Sequence, residues 1–483
     1  MARTTRREFL RGATLATAGV VLAACQQPAQ PTSAPEPTKA VEQPTAVPEA
    51  TTVVSQPTAA PEGSDNHDVF RPLLSTTEAV TLSRWDSCAS ETISARYDAL
   101  NIKVTEFYPN VTMDLQHGQS AENFVAACAA GSAPDVWSCG WNPERMGIWA
   151  KNGCLLALDD YIAEVAYPME RFVPGALDTC RMDGKHWGIP SGIGMYMLWY
   201  NPAHIKEAGG DGTPKDTDEL WALAEKLTTK DDKGDIDRLG MRLTTWFMEH
   251  LTWFCSFGGR MWNDEKNEPW PDNEGTVAAI EDLLAWANML GVDNLDRWAA
   301  SIGGQQGVAQ PFMSDKLSMF IDGDWYLQQI DELHPEWKPG VEFGVDAAPF
   351  APAAKQKGEP AVSLWIWPQA VSGTSKQPRW GFEFMRWRTS REISIEGAKS
   401  TRDLISTVAY LDDPRVDWES AKVILRFLAS GKKGVSVPMT PVTGEYQDKM
   451  GAAVDEIIHG KATVSEALAR VKAEVGELMA KYK

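Results

Sequence analysis

The chain has 483 residues, with 46 basic against 66 acidic side chains and a formal net charge of −20. So acidic a body repels nucleic acid and anionic lipid surfaces, which argues against either as its partner. Its length exceeds the roughly 250–300 residues that one core organises, so two lobes are expected.

The first 24 residues read as an export signal. Thr5-Arg6-Arg7-Glu8-Phe9-Leu10 has the twin-arginine pattern, and the 12 apolar or small residues Ala13 to Ala24 follow. That run is too short for a bilayer, which takes about 20 residues. It ends Leu22-Ala23-Ala24-Cys25, the pattern of a lipoprotein cleavage site, so Cys25 is expected to begin the mature chain and to carry lipid. An uncleaved anchor is the alternative. Loss of the leader makes the remainder more acidic by three charges. Residues 25–65 are rich in Pro, Ala, Thr, Glu and Gln and lack the apolar content to fold, so they are expected to be a disordered spacer. Its reach lies between a coil of roughly 35 Å and a rod of about 120 Å.

Beyond the spacer, strand and helix signals alternate, which predicts an α/β fold. Val80 to Trp85 reads as a first strand. Val111, Met113 and Leu115 alternate with polar residues and predict a second. Glu122 to Ala130 reads as a helix closed by Gly131. Asp135-Val136-Trp137 opens another strand. The Asp183-Gly184 pair predicts a tight hairpin within Arg181–His186. Ile189 to Tyr200 is continuously apolar, as for a strand buried on both faces. Asp218–Thr228 and Thr276–Leu290 are amphipathic helices. Thr463 and Glu466 form a capping box ahead of a final helix.

Two residue types stand out. There are 20 tryptophans, and flat indoles stack on flat apolar faces as readily as they fill cores. Besides Cys25, the cysteines are Cys88, Cys128, Cys139, Cys154, Cys180 and Cys255. Six thiols outside the cytoplasm allow up to three bridges or six buried apolar thiols. No CxxC or HxxxH spacing points to a metal, and no cofactor is implied.

Several segments in this order resemble the extracellular solute-binding proteins of ABC importers, family 1, the maltose-binding-like group. They are Pro109-Asn110-Val111, then Ala130-Gly131-Ser132-Ala133-Pro134-Asp135-Val136, then Asp183 to Pro190 with Leu198-Trp199-Tyr200-Asn201. Lys316 to Trp325 follows, with Asp315 where the family usually has Gly, and then Gly460 to Leu468. The resemblance spans Val80 to Lys483. It implies a type II periplasmic-binding-protein fold, two α/β lobes joined by a hinge around a central ligand cleft. The crossings fall near Gly192–Tyr196, Ala361–Trp365 and Asp412–Pro414. The N-terminal lobe is then 66–194 plus 366–412, and the C-terminal lobe 197–361 plus 415–483. The implied role is that of a monomeric, lipid-anchored, extracytoplasmic receptor. It captures a neutral mono- or oligosaccharide by lobe closure and delivers it to the permease unaltered.

Ligands of open α/β lobes sit at the carboxyl ends of strands. This rule and the resemblance single out Trp85, Asp86, Ser138, Trp141, Tyr196, Trp246, Gly323, Trp325, Ser363, Trp365 and Arg402. Indoles would cover the C–H face of a sugar ring, and the polar groups would satisfy its hydroxyls. Tyr446 is a further candidate. Each has a structural alternative: Trp85 as core, Asp86 as a helix N-cap, Arg402 as a surface ion pair. Trp137, Trp187 and Trp199 read as core. Two other functions stay open. An exported carbohydrate hydrolase would need two carboxylates across one bond, and Asp159–Asp160 or Asp322/Asp324 have no supporting pattern. A surface receptor without transport would use the same fold.

Overall fold

The computed structural model describes residues 68–482, apart from 76, 243–246, 303–308, 358–360 and 432–433. The strands in chain order are β1 (Val80–Trp85), β2 (Val111–Gln116), β3 (Val136–Ser138), β4 (Arg181–Met182), β5 (Lys185–His186), β6 (Ile189–Tyr200) and β7 (Thr229–Lys230). They continue as β8 (Ile236–Arg242), β9 (Trp262–Asn263), β10 (Glu268–Pro269), β11 (Leu317–Gly323), β12 (Gly344–Ala347), β13 (Val362–Val371) and β14 (Gly434–Val435).

One sheet of ten strands carries the molecule, in the order β2-β1-β3-β13-β6-β11-β8-β7, with β12 on β6 and β14 on β13. β1 lies parallel between β2 and β3, burying Val80, Leu82 and Arg84 on one face. The 12-residue β6 changes partners halfway. Its first part runs antiparallel to β13, from Gln369 opposite Ile189 to Leu364 opposite Met195. Its second part lies between β11, with Gly323 opposite Tyr196, and β12, with Ala347 opposite Met197. β13 likewise pairs with β3 at one end and β14 at the other. Two long strands thus join two α/β lobes. They are buried nearly end to end, which explains their unbroken apolar sequence.

The local signals act as read. The β4–β5 hairpin turns on Asp183 (φ 54°) and Gly184 (φ 75°), both left-handed as a two-residue turn requires. The helix Thr217–Leu227 starts on the Asp216 cap and buries Leu220, Leu223, Ala224 and Leu227. The capping box of Thr463 and Glu466 is complete.

Tryptophan fills much of the interior. Trp137, Trp149, Trp199, Trp253 and Trp387 are fully buried. Trp137 stacks on Phe124 at 4.4 Å and meets Trp149 edge-on at 5.8 Å, forming a core beside β3. The largest core cluster spans Val173 to Val475 and contains the middle of both long strands. Cys88, Cys128, Cys139, Cys154, Cys180 and Cys255 are buried free thiols, the apolar alternative of the two weighed. Among the described residues, no helix is long and apolar enough to cross a membrane, and no group of side chains could hold a metal ion.

Candidate functional site

The carboxyl ends of β3 and β11 meet the stretch where β6 and β13 run side by side. β3 ends at Ser138 and leads into a single tight turn, Cys139–Trp141. β11 ends at Gly323, and Trp325 opens the helix Tyr326–Leu333. β13 supplies Trp365 and Trp367. These elements bring four indoles together around Trp367. Its ring centre lies 5.4 Å from that of Trp141 and 6.4 Å from those of Trp325 and Trp365. All four stay partly exposed. The Trp365 indole N–H donates to the Gly140 carbonyl at 2.8 Å, fixing the ring against the β3 turn.

Glycine makes this packing possible. A Cβ at Gly140 would stand 2.3 Å from the Trp367 ring, and one at Gly323 would stand 2.3 Å from Trp325. Real Cβ atoms do not approach so closely, so any side chain there displaces an indole. Gly323 therefore serves the site by omission.

Carboxylates lie under the cluster. Asp324 is fully buried and accepts from the backbone N–H of Met195 at 2.9 Å and of Leu404 at 3.2 Å. Burial, with the Asp403 charge second, holds its pKa well above the usual carboxylate range. Burial also pushes Asp322 up to about 6, against the pull of the Gly323 N–H and Arg242. Asp403 is likewise raised to about 6 by burial, opposed by Thr401, Tyr97 and Arg388. A carboxyl that holds its proton both donates and accepts hydrogen bonds, whereas an ionised one only accepts.

The residues singled out from sequence divide into three groups. Trp141, Trp325 and Trp365 form the cluster with Trp367. A second group is buried. Tyr196 is 2% exposed, its ring edge-on to Trp325 at 5.2 Å, so it props the indole instead of facing the cleft. Ser363 is buried in a hydroxyl pair with Thr252. Ser138 is buried at the end of β3. Asp86 caps no helix, since Ser90 does that. It is buried and held by Arg84 at 2.7 Å, His117 at 3.0 Å and the Cys88 N–H at 3.0 Å. No free carboxylate is left to offer a ligand there.

The third group lies apart. Trp85 packs half-buried against the Trp137 core. Arg402 ends the helix Arg391–Thr401 at φ 61° and pairs with Asp331 at 2.7 Å, its guanidinium 5.4 Å above Trp418. It is the ion pair of the two alternatives. Tyr446 is buried, its hydroxyl donating to the Met261 carbonyl at 2.7 Å. Trp246 lies outside the described residues.

Trp367 was not singled out. Its signal was the spacing of two from Trp365 on a crossing strand. A roomier groove of about 680 Å³ lies elsewhere, lined by Arg181, Arg260, Trp262 and Pro438–Pro441, and shares no residue with the cluster.

The comparisons agree with this architecture. Residues 91–393 match the model of the bacterial extracellular solute-binding protein family. The chain belongs to that family. A putative binding protein of Brucella abortus is 25% identical over 186 residues, 38% of this chain and 42% of that one. A probable ABC transporter-binding protein of Deinococcus radiodurans is 23% identical over 224 residues, 45% of this chain and 51% of that one. The chain thus matches about half or less of these relatives' length. Among solved structures, CpMnBP1 with mannotriose bound superposes with a TM-score of 0.67 at 21% identity, covering 82% of this chain and 99% of its own. The GacH receptor of Streptomyces glaucescens, solved free and with acarbose, gives 0.67 at 20% identity, covering 84% and 100%. These likenesses establish the two-lobed fold.

Proposed function

We propose that the protein is the lipid-anchored substrate-binding component of an ABC importer. It captures a neutral mono- or oligosaccharide by lobe closure and passes it unchanged to the permease. The observation that carries this reading is the tryptophan cluster, where Trp141, Trp325, Trp365 and Trp367 converge from β3, β11 and β13. Indole faces suit the C–H faces of pyranose rings, and the nearby acids suit hydroxyls. The bound sugars of structurally similar proteins point the same way. Lobes of 66–194 plus 366–412 and 197–361 plus 415–483 would close over the ligand, so that binding favours the closed form. Lipid on Cys25 and the spacer would hold the body beside its permease.

The test is a thermal-shift screen of the mature protein against neutral saccharides, polyamines and peptides. A saccharide is expected to raise the melting temperature, and Trp325→Ala or Trp365→Ala to weaken that effect at least about tenfold in Kd while the protein still melts cooperatively. Stabilisation only by polyamines or peptides would refute the ligand class. Release of reducing ends from glycans would make the protein a hydrolase instead.

A further inference from the structure

Beside the indole cluster lies a small recess of about 30 Å³. At ~10–15 Å³ per water-sized atom it holds two or three such atoms, too few for a sugar ring. Its wall includes Arg84, Asn101, Gln369 and Arg388. Trp141 and Trp367 belong both to this wall and to the cluster.

Its polar side chains are buried, and although Arg84 pairs with Asp86 and Gln369 Nε2 donates to Ser191, several of their atoms are unmatched. Arg84, Asn101, Gln369 and Arg388 are 3%, 1%, 3% and 7% exposed. Four donors have no partner among the described residues: Arg84 Nε, Arg388 Nε, Asn101 Nδ2 and Trp367 Nε1. Two acceptors, Asn101 Oδ1 and Gln369 Oε1, also lack one. Asn101 thus satisfies neither end of its amide. Native interiors rarely leave such groups alone, and here they gather in one place.

We propose that this recess is a subsite of the ligand cleft, taking the exocyclic hydroxymethyl of one unit of the captured sugar. The mixture of orphan donors and acceptors selects this chemistry. A carboxylate or phosphate would satisfy the guanidinium and indole N–H groups, but would set lone pairs against the Asn101 and Gln369 oxygens. It would also face Asp403 on the same wall. A hydroxyl both donates and accepts, so it answers both kinds of orphan. The size then admits one exocyclic group and no ring, so the recess reads a single substituent of one sugar unit.

The inference rests on the carbohydrate reading above. Its test uses a saccharide that stabilises the protein and analogues each lacking only the hydroxymethyl oxygen of one unit. By calorimetry, the unmodified protein should bind one of these analogues at least about tenfold more weakly, because the orphans stay unpaired. Asn101→Leu removes two orphans and fills the recess. It should weaken the parent sugar similarly, abolish discrimination between parent and analogue, and leave the melting temperature of the free protein undiminished. Should Asn101→Leu not fold, Gln369→Met and the analogue with unmodified protein give the same readout. Equal binding of parent and every analogue, with Trp325→Ala still impaired, would mean the recess holds only water; the recess assignment then falls and the carbohydrate reading stands. Tighter binding of a uronate than of its neutral parent would overturn the choice of hydroxyls. If no saccharide binds the unmodified protein, both readings fall together.

Discussion

Burial separates two uses of indole in this protein. Trp137, Trp149, Trp199, Trp253 and Trp387 fill interiors, whereas Trp141, Trp325, Trp365 and Trp367 pack on one another and remain partly open. Trp325 was legible from its position just past a strand end, and Trp365 from its place on an expected crossing between lobes. Arg84 was not. Yet a charged residue in step with Val80 and Leu82 on a buried face carries its own signal, since inward charges are rare. The polar neighbours were illegible for another reason: Asn101, Gln369 and Arg388 come from distant segments, and nothing local records their meeting. Buried acids permit a pH prediction at this scale. Asp282 is pushed up to about 6 by burial, against indole N–H bonds from Trp221 at 2.8 Å and Trp253 at 3.1 Å. The folded state then holds this proton more tightly than the unfolded chain, whose value is 3.8. Its contribution is greatest below pH ~4 and is lost as pH rises towards 6. Compared with Asp282→Asn, the natural protein should therefore gain melting temperature as pH falls from 7 to 4. A pH-independent difference between the two would show that Asp282 titrates normally.

Elements were the most legible scale. Val80–Trp85 and Ile189–Tyr200 hold the boundaries read for them because each is framed by residues that end strands. Helix starts at Asp216 and Thr463 were marked by capping chemistry that works within three or four residues. The partner switch along β6 was legible only as a long apolar run, since strand order is a matter of non-local pairing. Asp315 adopts φ 60° just before β11. Left-handed backbone costs a residue with a Cβ about 1–2 kcal/mol, less for Asp and most for a β-branched side chain. Asp315→Gly should be close to neutral in urea unfolding, while Asp315→Val should lose roughly 1–2 kcal/mol. Equal stability of the two variants would show that this turn bears no strain.

At the scale of the whole molecule, the helix Tyr326–Leu333 ties the β11 side to the β1 side. Arg96 meets Glu332 at 3.0 Å and Arg402 meets Asp331 at 2.7 Å. Both pairs are partly solvated, so each contributes about 0–1 kcal/mol and is screened by salt. In the closure proposed here, they would bias the arrangement of the lobes without locking it. Replacing both arginines by Ala should raise the radius of gyration of the ligand-free protein modestly in low salt, measured by X-ray scattering, and have no effect near 1 M salt. An unchanged radius at low salt would show that the pairs have no part in lobe arrangement.

Asp324 sits at the meeting of these parts, gripping the Met195 backbone of the first crossing strand and the Leu404 backbone beside it. Those two backbones are themselves joined through Ile193. In the closure proposed here, such a triple junction acts as an axle. Points near it turn almost in place, and points far from it sweep wide arcs. Trp325, its chain neighbour, would thus keep nearly the same surroundings whether the jaws gape or shut, while the distant rims travel furthest. A docking transporter that feels the rims would register occupancy without ever touching the guest.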